Sequence, residues 1–164
     1  MLQYFSQDID QIKISKVQYF SIAICFLMNV LDGMDVLVVS YCAPAIAQAL
    51  KLGPKTLGIV FSAGLVGMAI GAIFLAPYAD KFGRKKLILA SAFIMGFSVL
   101  LTALSENILQ LVIMRLISGL GIGCMLATTA TLTSENVLNN SKDFWVSLVI
   151  SGYPVGAVIS GYIA

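Results

Sequence analysis

Long apolar stretches, broken at short intervals by small polar clusters, organise this chain from end to end. The first stretch, residues 17–42, reads VQYFSIAICFLMNVLDGMDVLVVSYC. Apolar runs of about 20 residues recur after it, the length an α-helix needs to cross a bilayer. The pattern predicts helices over 17–42, 56–79, 86–105, 108–132 and 144–164. The polar connections between them are short, which implies antiparallel neighbours. Pro44 ends or kinks the first helix, Gly53-Pro54 marks the turn into the second, and Pro154, between Gly152 and Gly156, kinks the fifth. Residues 1–16 are polar and carry Asp8 and Asp10. No small-residue cleavage site precedes these aspartates and the apolar run behind them is too long for an h-region, so 1–16 reads as a cytoplasmic segment and not a signal peptide. The fold class is an all-α membrane protein, with 17–164 as one transmembrane helical domain.

Composition agrees with that pattern. Hydrophobic residues make up 59% of the 164 positions and charged ones 11%, which excludes an ordinary soluble domain. The placement of the cations says more than the net charge of +2. With the N-terminus inside, Lys13, Lys16, Lys81, Arg84, Lys85, Lys86 and Lys142 are cytoplasmic, against Lys51 and Lys55 outside. That bias orients the chain N-terminus inward by the positive-inside rule. The basic residues belong to membrane loops, so no nucleic-acid partner is implied; the bilayer is the partner. Cys25, Cys42 and Cys124 all lie within apolar runs and have no metal-ligand or disulfide spacing. The chain has no histidine, so proton chemistry falls to Asp, Glu, Tyr or Lys. No nucleophile–base arrangement, metal spacing or phosphate loop is present, and neither an enzyme nor a cofactor is read.

Three charges interrupt the apolar runs: Asp32 and Asp35 in the first, Arg115 in the fourth. A charge at the centre of a membrane helix costs about 2.5–3.5 kcal/mol on insertion scales, so such residues mark ion, proton or substrate paths by default. Asp32 and Asp35, three apart, share one side of a helix. Counting from the outer ends of their helices at about 1.5 Å per residue puts Arg115 and Asp35 at similar depths, roughly 10 Å down, with Asp32 one turn deeper. One arginine cannot fully compensate two aspartates. The reading is that Asp35 holds Arg115 while Asp32 is the proton carrier, and that an anionic substrate arriving at Arg115 competes with the aspartates. A static ion pair that only neutralises buried charge is the alternative.

Small residues form faces. Ala63, Gly67 and Gly71 fall four apart in the second helix, Gly119 and Gly123 in the fourth, and Gly152, Gly156 and Ser160 in the fifth. Such faces let membrane helices approach closely. Gly119-x-Gly121-x-Gly123 follows a membrane helix and not a strand, and lacks the third glycine at dinucleotide spacing. Asn29, Tyr41 and Tyr153 either face a central cavity or are packing residues. The connection Ala79-Asp80-Lys81-Phe82-Gly83-Arg84-Lys85-Lys86 joins two helices with an acid at one end and a basic cluster at the other. Asp80 can accept from Arg84 or from backbone amides, and Gly83 supplies a conformation other residues reach only with strain.

The stretch 71–85, GAIFLAPYADKFGRK, resembles the loop between helices 2 and 3 of the major facilitator superfamily, with Ala76 where a glycine is usual. Arg115-Leu-Ile-Ser-Gly119-Leu-Gly121-Ile-Gly123 resembles that superfamily's helix 4 motif. Asp32-Gly33-Met34-Asp35 is similar to the signature of the aromatic acid:proton symporters. The likeness extends through Ala43-Pro44-Ala45, Thr133-Ser134-Glu135 and Gly152-Tyr153-Pro154. It implies proton-coupled uptake of an aromatic or related organic carboxylate, with Asp32 and Asp35 in proton coupling, Arg115 as substrate ligand or ion-pair partner, and Asp80, Gly83, Arg84 and Lys85 as a conformational gating loop. A bacterial inner membrane is the implied location. Relatives usually carry several arginines after the Ser-Glu of the next cytoplasmic loop; here 136–143 offers only Lys142. Members of the superfamily have twelve spans in two halves, so the chain is expected to be the first part of a longer protein, lacking its C-terminal partner half, or a truncated product. A sugar or other metabolite porter and a non-transporting membrane fragment remain as rival readings.

Overall fold

The computed structural model describes residues 16–137 and 142–163; the expected N-terminal segment lies outside them except for Lys16, as does most of the loop carrying Lys142. Among the described residues, five helices are long and apolar enough to cross a membrane: α1 Lys16–Ala49, α2 Pro54–Phe82, α3 Arg84–Ala103, α4 Ile108–Asn136 and α5 Lys142–Ile163. In hydrocarbon every backbone N–H and C=O must be satisfied within the protein, and a helix does this within one segment. Large apolar side chains such as Phe20, Leu27, Leu65, Phe74, Phe93, Leu100 and Val158 face outward, where lipid replaces water.

α2 and α4 outrun the apolar pattern because polar residues at their ends continue the backbone ladder, and α1 does so through the alanine-rich stretch 43–49. α1 passes through Pro44 and stops five residues later at Ala49; just beyond, Lys51 takes φ 51° and the Leu52 amide reaches back to Ala47 O at 2.8 Å. That is a left-handed helix stop, a conformation usually left to glycine. α2 is α-helical to Ile70, opens into a π-turn over Gly71–Leu75, tightens to a 3-10 turn over Ala76–Tyr78 and closes with Ala79–Phe82. Pro77 explains the sequence of turns. Its ring excludes the carbonyl four residues back and it has no amide to donate, so the helix widens before it.

α4 is the axis of the bundle. It packs along α2 on one side and α3 on the other, and also meets α5 and α1, whereas α1 lies chiefly against α5. Sequential neighbours therefore do not all pair: α1 and α2 scarcely touch despite their short connection. The small-residue faces decide this arrangement. A Cβ placed on Gly67, Gly71, Gly119 or Gly123 would run into the backbone carbonyls of Leu116, Leu120, Gly64 and Met68 respectively, so α2 and α4 meet backbone to backbone. Gly33, Gly152 and Gly156 hold α1 and α5 together in the same way, against the carbonyls of Tyr153, Phe26 and Val30. Where no side chain separates two helices, dispersion contacts replace the hydrophobic force that lipid removes. Gly123→Val is expected to separate α2 from α4, at a cost of about 1–3 kcal/mol or more for overpacking. Thermal unfolding in detergent reads the loss.

The connection at Gly83 brings the start of α3 beside the end of α4, so Lys81, Arg84, Lys85, Lys86 and Glu135 gather at one end of the bundle. Lys51 and Lys55 lie at the other end, between α1 and α2.

Candidate functional site

Asp35 and Arg115 meet across the bundle. Arg115 Nη1 donates to Asp35 Oδ2 at 3.4 Å, and both side chains are about nine-tenths buried, at 9% exposure each. The contact is long beside the usual 2.7–2.9 Å of a charge-assisted bond, and only one guanidinium nitrogen makes it. Arg115 Nε is buried with no partner. Arg115 is thus held in place without being saturated. Beside it opens a cavity of about 450 Å³, walled by apolar side chains of α1, α3 and α4 that include Val38, Ile46, Val99 and Leu111. Polar lining comes from Cys42, Thr102 and Ser105.

Asp32 lies one turn deeper and has no contact with Arg115. It is fully buried, and neither carboxylate oxygen has a hydrogen-bond partner. An unpaired buried carboxylate is costly, far more so when ionised. Gly33 beside it is in close approach to the Tyr153 backbone of α5, so the α1–α5 seam closes over the acid. The depth count from sequence therefore places the three charges as they are found: Arg115 with Asp35, Asp32 alone below.

Asn29 departs from the cavity-facing alternative. It is fully enclosed, and its Nδ2 donates to Cys25 O at 2.8 Å and to Thr129 Oγ1 at 3.1 Å. Tyr41 is half exposed in the C-terminal part of α1, with its phenolic oxygen near Gly161. Tyr153 is partly buried on α5.

At the other end of the bundle the loop of Asp80, Gly83, Arg84 and Lys85 forms a small ionic latch. Gly83 takes φ 90° and ψ 127°, a region essentially reserved for glycine, and it breaks α2 from α3 in a single residue. Arg84 Nη2 then pairs with Asp80 Oδ1 at 3.1 Å and with Glu135 Oε1 of α4 at 2.7 Å. Lys85 is exposed, and Lys81 Nζ stands 5.8 Å from the Tyr78 ring centre. Asp80 and Glu135 are largely exposed, so each pair is worth on the order of 0–1 kcal/mol. Such a latch opens easily. Gly83→Val is expected to strain the turn by about 1–3 kcal/mol and to pull Arg84 away from Glu135. A cysteine pair placed at Arg84 and Glu135 should cross-link less readily in that variant.

Glu135 had no role in the sequence reading, although the signal was there. It is the acid that ends α4 on the same side as the basic loop. The Asn29–Thr129 contact was also not legible, because it depends on the rotation of α4 about its axis.

These features define a multi-pass helical membrane protein with charged groups at membrane depth. A family model described as Major Facilitator Superfamily matches residues 25–164, and the chain belongs to that superfamily. The gallate transporter of Pseudomonas putida is 34% identical over 158 residues, covering 95% of this chain and 35% of the relative. The 4-hydroxybenzoate transporter PcaK of Acinetobacter baylyi is 36% identical, over 95% of this chain and 34% of its own length. The 3-(3-hydroxy-phenyl)propionate transporter of Escherichia coli is 35% identical, over 85% and 35%. The chain spans about a third of the length of these curated relatives.

Proposed function

We propose that this chain forms the proton-coupling part of a secondary transporter that takes up an aromatic or related organic carboxylate with protons. One observation carries the reading: a loosely held, unsaturated Arg115 sits at membrane depth next to Asp35, with a second, partnerless acid one turn below. A substrate carboxylate offers Arg115 the planar two-oxygen partner that Asp35 only half supplies. Asp35, released, becomes an unpaired carboxylate beside Asp32, and two adjacent unpaired acids favour uptake of a proton. Substrate and proton are thereby coupled through three side chains. The apolar wall beside Arg115 suits an aromatic ring better than a sugar, whose hydroxyls need many partners. The relatives named for gallate, 4-hydroxybenzoate and hydroxyphenylpropionate support the same class.

In this reading residues 17–164 are one transmembrane unit in a bacterial inner membrane with the N-terminus cytoplasmic, working with the C-terminal half of the full-length transporter. The Asp80–Arg84–Glu135 latch is its cytoplasmic gate. The two halves alternate access to the charged site. Uptake of labelled 4-hydroxybenzoate by cells making the full-length protein tests this. Uptake should require an inward proton gradient and collapse with a protonophore; uptake that ignores the gradient would remove the coupling. Glu135→Gln, which weakens the latch by about 0.5–1 kcal/mol, should change uptake by no more than a few-fold.

A further inference from the structure

Asp32 is not an isolated polar group in an apolar interior. Toward the end of the bundle formed by the start of α1 and the finish of α4, a row of buried polar side chains leads away from it. Asn29 comes first, three residues back on the same face of α1, and Cys25 four residues beyond. α4 supplies Thr129 and Thr133 opposite, both about 1% exposed. Asn29 Nδ2 bridges to Thr129 Oγ1. The Thr129 hydroxyl donates to Met125 O at 2.9 Å and the Thr133 hydroxyl to Thr129 O at 2.7 Å. The Cys25 thiol and the Thr133 side chain are neighbours. Beyond them the row ends on an apolar cluster of Ile22, Val137 and Val149, joined by Leu132 and Trp145.

The row has one unmet need at its upper end. Asn29 Oδ1 and both oxygens of Asp32 are buried acceptors without donors. A buried polar atom without a partner is rare and costly, and three of them within one helical turn share a remedy. A proton on Asp32 supplies a donor, and Asn29 Oδ1 is the acceptor one turn away at i−3. Without that proton, the amide can turn over and offer Nδ2 to the carboxylate while Oδ1 accepts from Thr129. An amide is the side chain that serves both states, because it carries a donor and an acceptor on one rotatable plane.

We propose that Asn29 is the positioning residue for the proton on Asp32, and that Asn29, Thr129 and Thr133 form the polar path by which Asp32 exchanges protons with the end of the bundle near Cys25. The path rests on the transport reading above and assigns it a direction. In this conformation the path is shut by the Ile22, Val137 and Val149 cluster, while Arg115 and Asp35 stand between Asp32 and the 450 Å³ cavity at the other end. Asp32 is therefore occluded from both sides. Parting of α1 and α4 at the apolar cluster opens the path, and separation of Arg115 from Asp35 opens the other side. The titratable groups that face Asp32 are Asp35 on α1 and Tyr153 on α5, while Arg115 of α4 is paired with Asp35; α2 and α3 bring no charge to it.

Two assays on the full-length protein separate this from a structural role. Proton-driven uptake of labelled 4-hydroxybenzoate needs Asp32 to load and release a proton in each cycle. Counterflow, the exchange of labelled for unlabelled substrate across a membrane with no gradient, needs substrate to cross but no net proton release. Asn29→Leu should lower proton-driven uptake by about tenfold or more, the scale of a lost proton-transfer partner, and leave counterflow within about twofold. It should also move the pH at which uptake is half-maximal. Asn29→Ser, which puts a hydroxyl in place of the amide and leaves room for a water, should recover most of the uptake. Thr133→Val should show the same split in weaker form. The proposal is overturned if Asn29→Leu keeps the uptake and pH profile of the unmodified protein, or if uptake and counterflow fall together in both Asn29 variants. Absence of both activities in the unmodified protein would overturn the transport reading instead.

Discussion

Asp32→Asn is expected to abolish proton-driven uptake, bringing it to the level of cells without the protein. The substitution keeps the size and planarity of the side chain and removes its capacity to take up and release a proton. Asp32 is fully enclosed and has no ion-pair partner, so the amide meets less desolvation cost than the acid did. The folded amount in the membrane should therefore hold or rise while transport is lost. That opposite movement is the diagnostic. A loss of uptake through misfolding would lower both, and an unchanged uptake rate would show that Asp32 takes no part in the coupling.

Arg115→Leu is expected to have the second large effect, by a different route. Removing the guanidinium leaves Asp35 ionised in a nearly closed pocket, and breaking a buried pair from one side costs about 3–5 kcal/mol. Yield in the membrane should fall steeply. The paired change Asp35→Asn with Arg115→Gln removes both charges and should restore the fold, since a neutral pair of similar volume often costs little. It should not restore uptake, because no cation is left to receive a carboxylate. Recovery of transport in the double variant would reduce Arg115–Asp35 to a static neutralising pair. Arg115→Lys should fold but bind the acid more weakly, because an ammonium lacks the planar fork of donors. Binding in detergent, by the shift of melting temperature with added 4-hydroxybenzoate, measures this directly.

The parts of the molecule legible in the sequence share a physical cause. Span length and polar punctuation follow from bilayer thickness, so the five helices were readable to within a few residues, except where α1 runs past Pro44 through the alanine-rich stretch 43–49. Depth is also a one-dimensional quantity. Counting rise per residue from the loops sufficed to set Asp35 level with Arg115, and the 3.4 Å contact follows. The four-residue spacing of Gly67 and Gly71, and of Gly119 and Gly123, named the faces that pack but not their partners. Pairing α1 with α5 instead of α2 depends on which carbonyls fill which glycine gaps, a three-dimensional match. Helix rotation hid the rest. Thr129 and Thr133 lie at i and i+4 and read from sequence as ordinary helix polar residues; only their facing toward Asn29 and Cys25 gives them meaning. Glu135 stood in plain view, but its pairing with Arg84 required the end of α4 to reach the start of α3.

The ion pairs of Arg84 with Asp80 and Glu135, at the other end of the bundle from Arg115 and Asp35, are exposed where that pair is buried. Exposed pairs at Asp80 and Glu135 are each worth on the order of 0–1 kcal/mol, close to thermal energy, so they bias a conformational equilibrium without locking it. On the proposed transport reading, the costly charges stand where substrate and proton meet, and switching is left to contacts that break readily.

Substrate-induced proton movement tests the central claim most directly. The full-length protein is reconstituted into vesicles with a lightly buffered exterior and no imposed gradient, and 4-hydroxybenzoate is added outside. The account predicts a transient alkalinisation of the exterior with the unmodified protein, as protons enter with the acid, and none with Asp32→Asn. An alkalinisation of undiminished size with Asp32→Asn would contradict it.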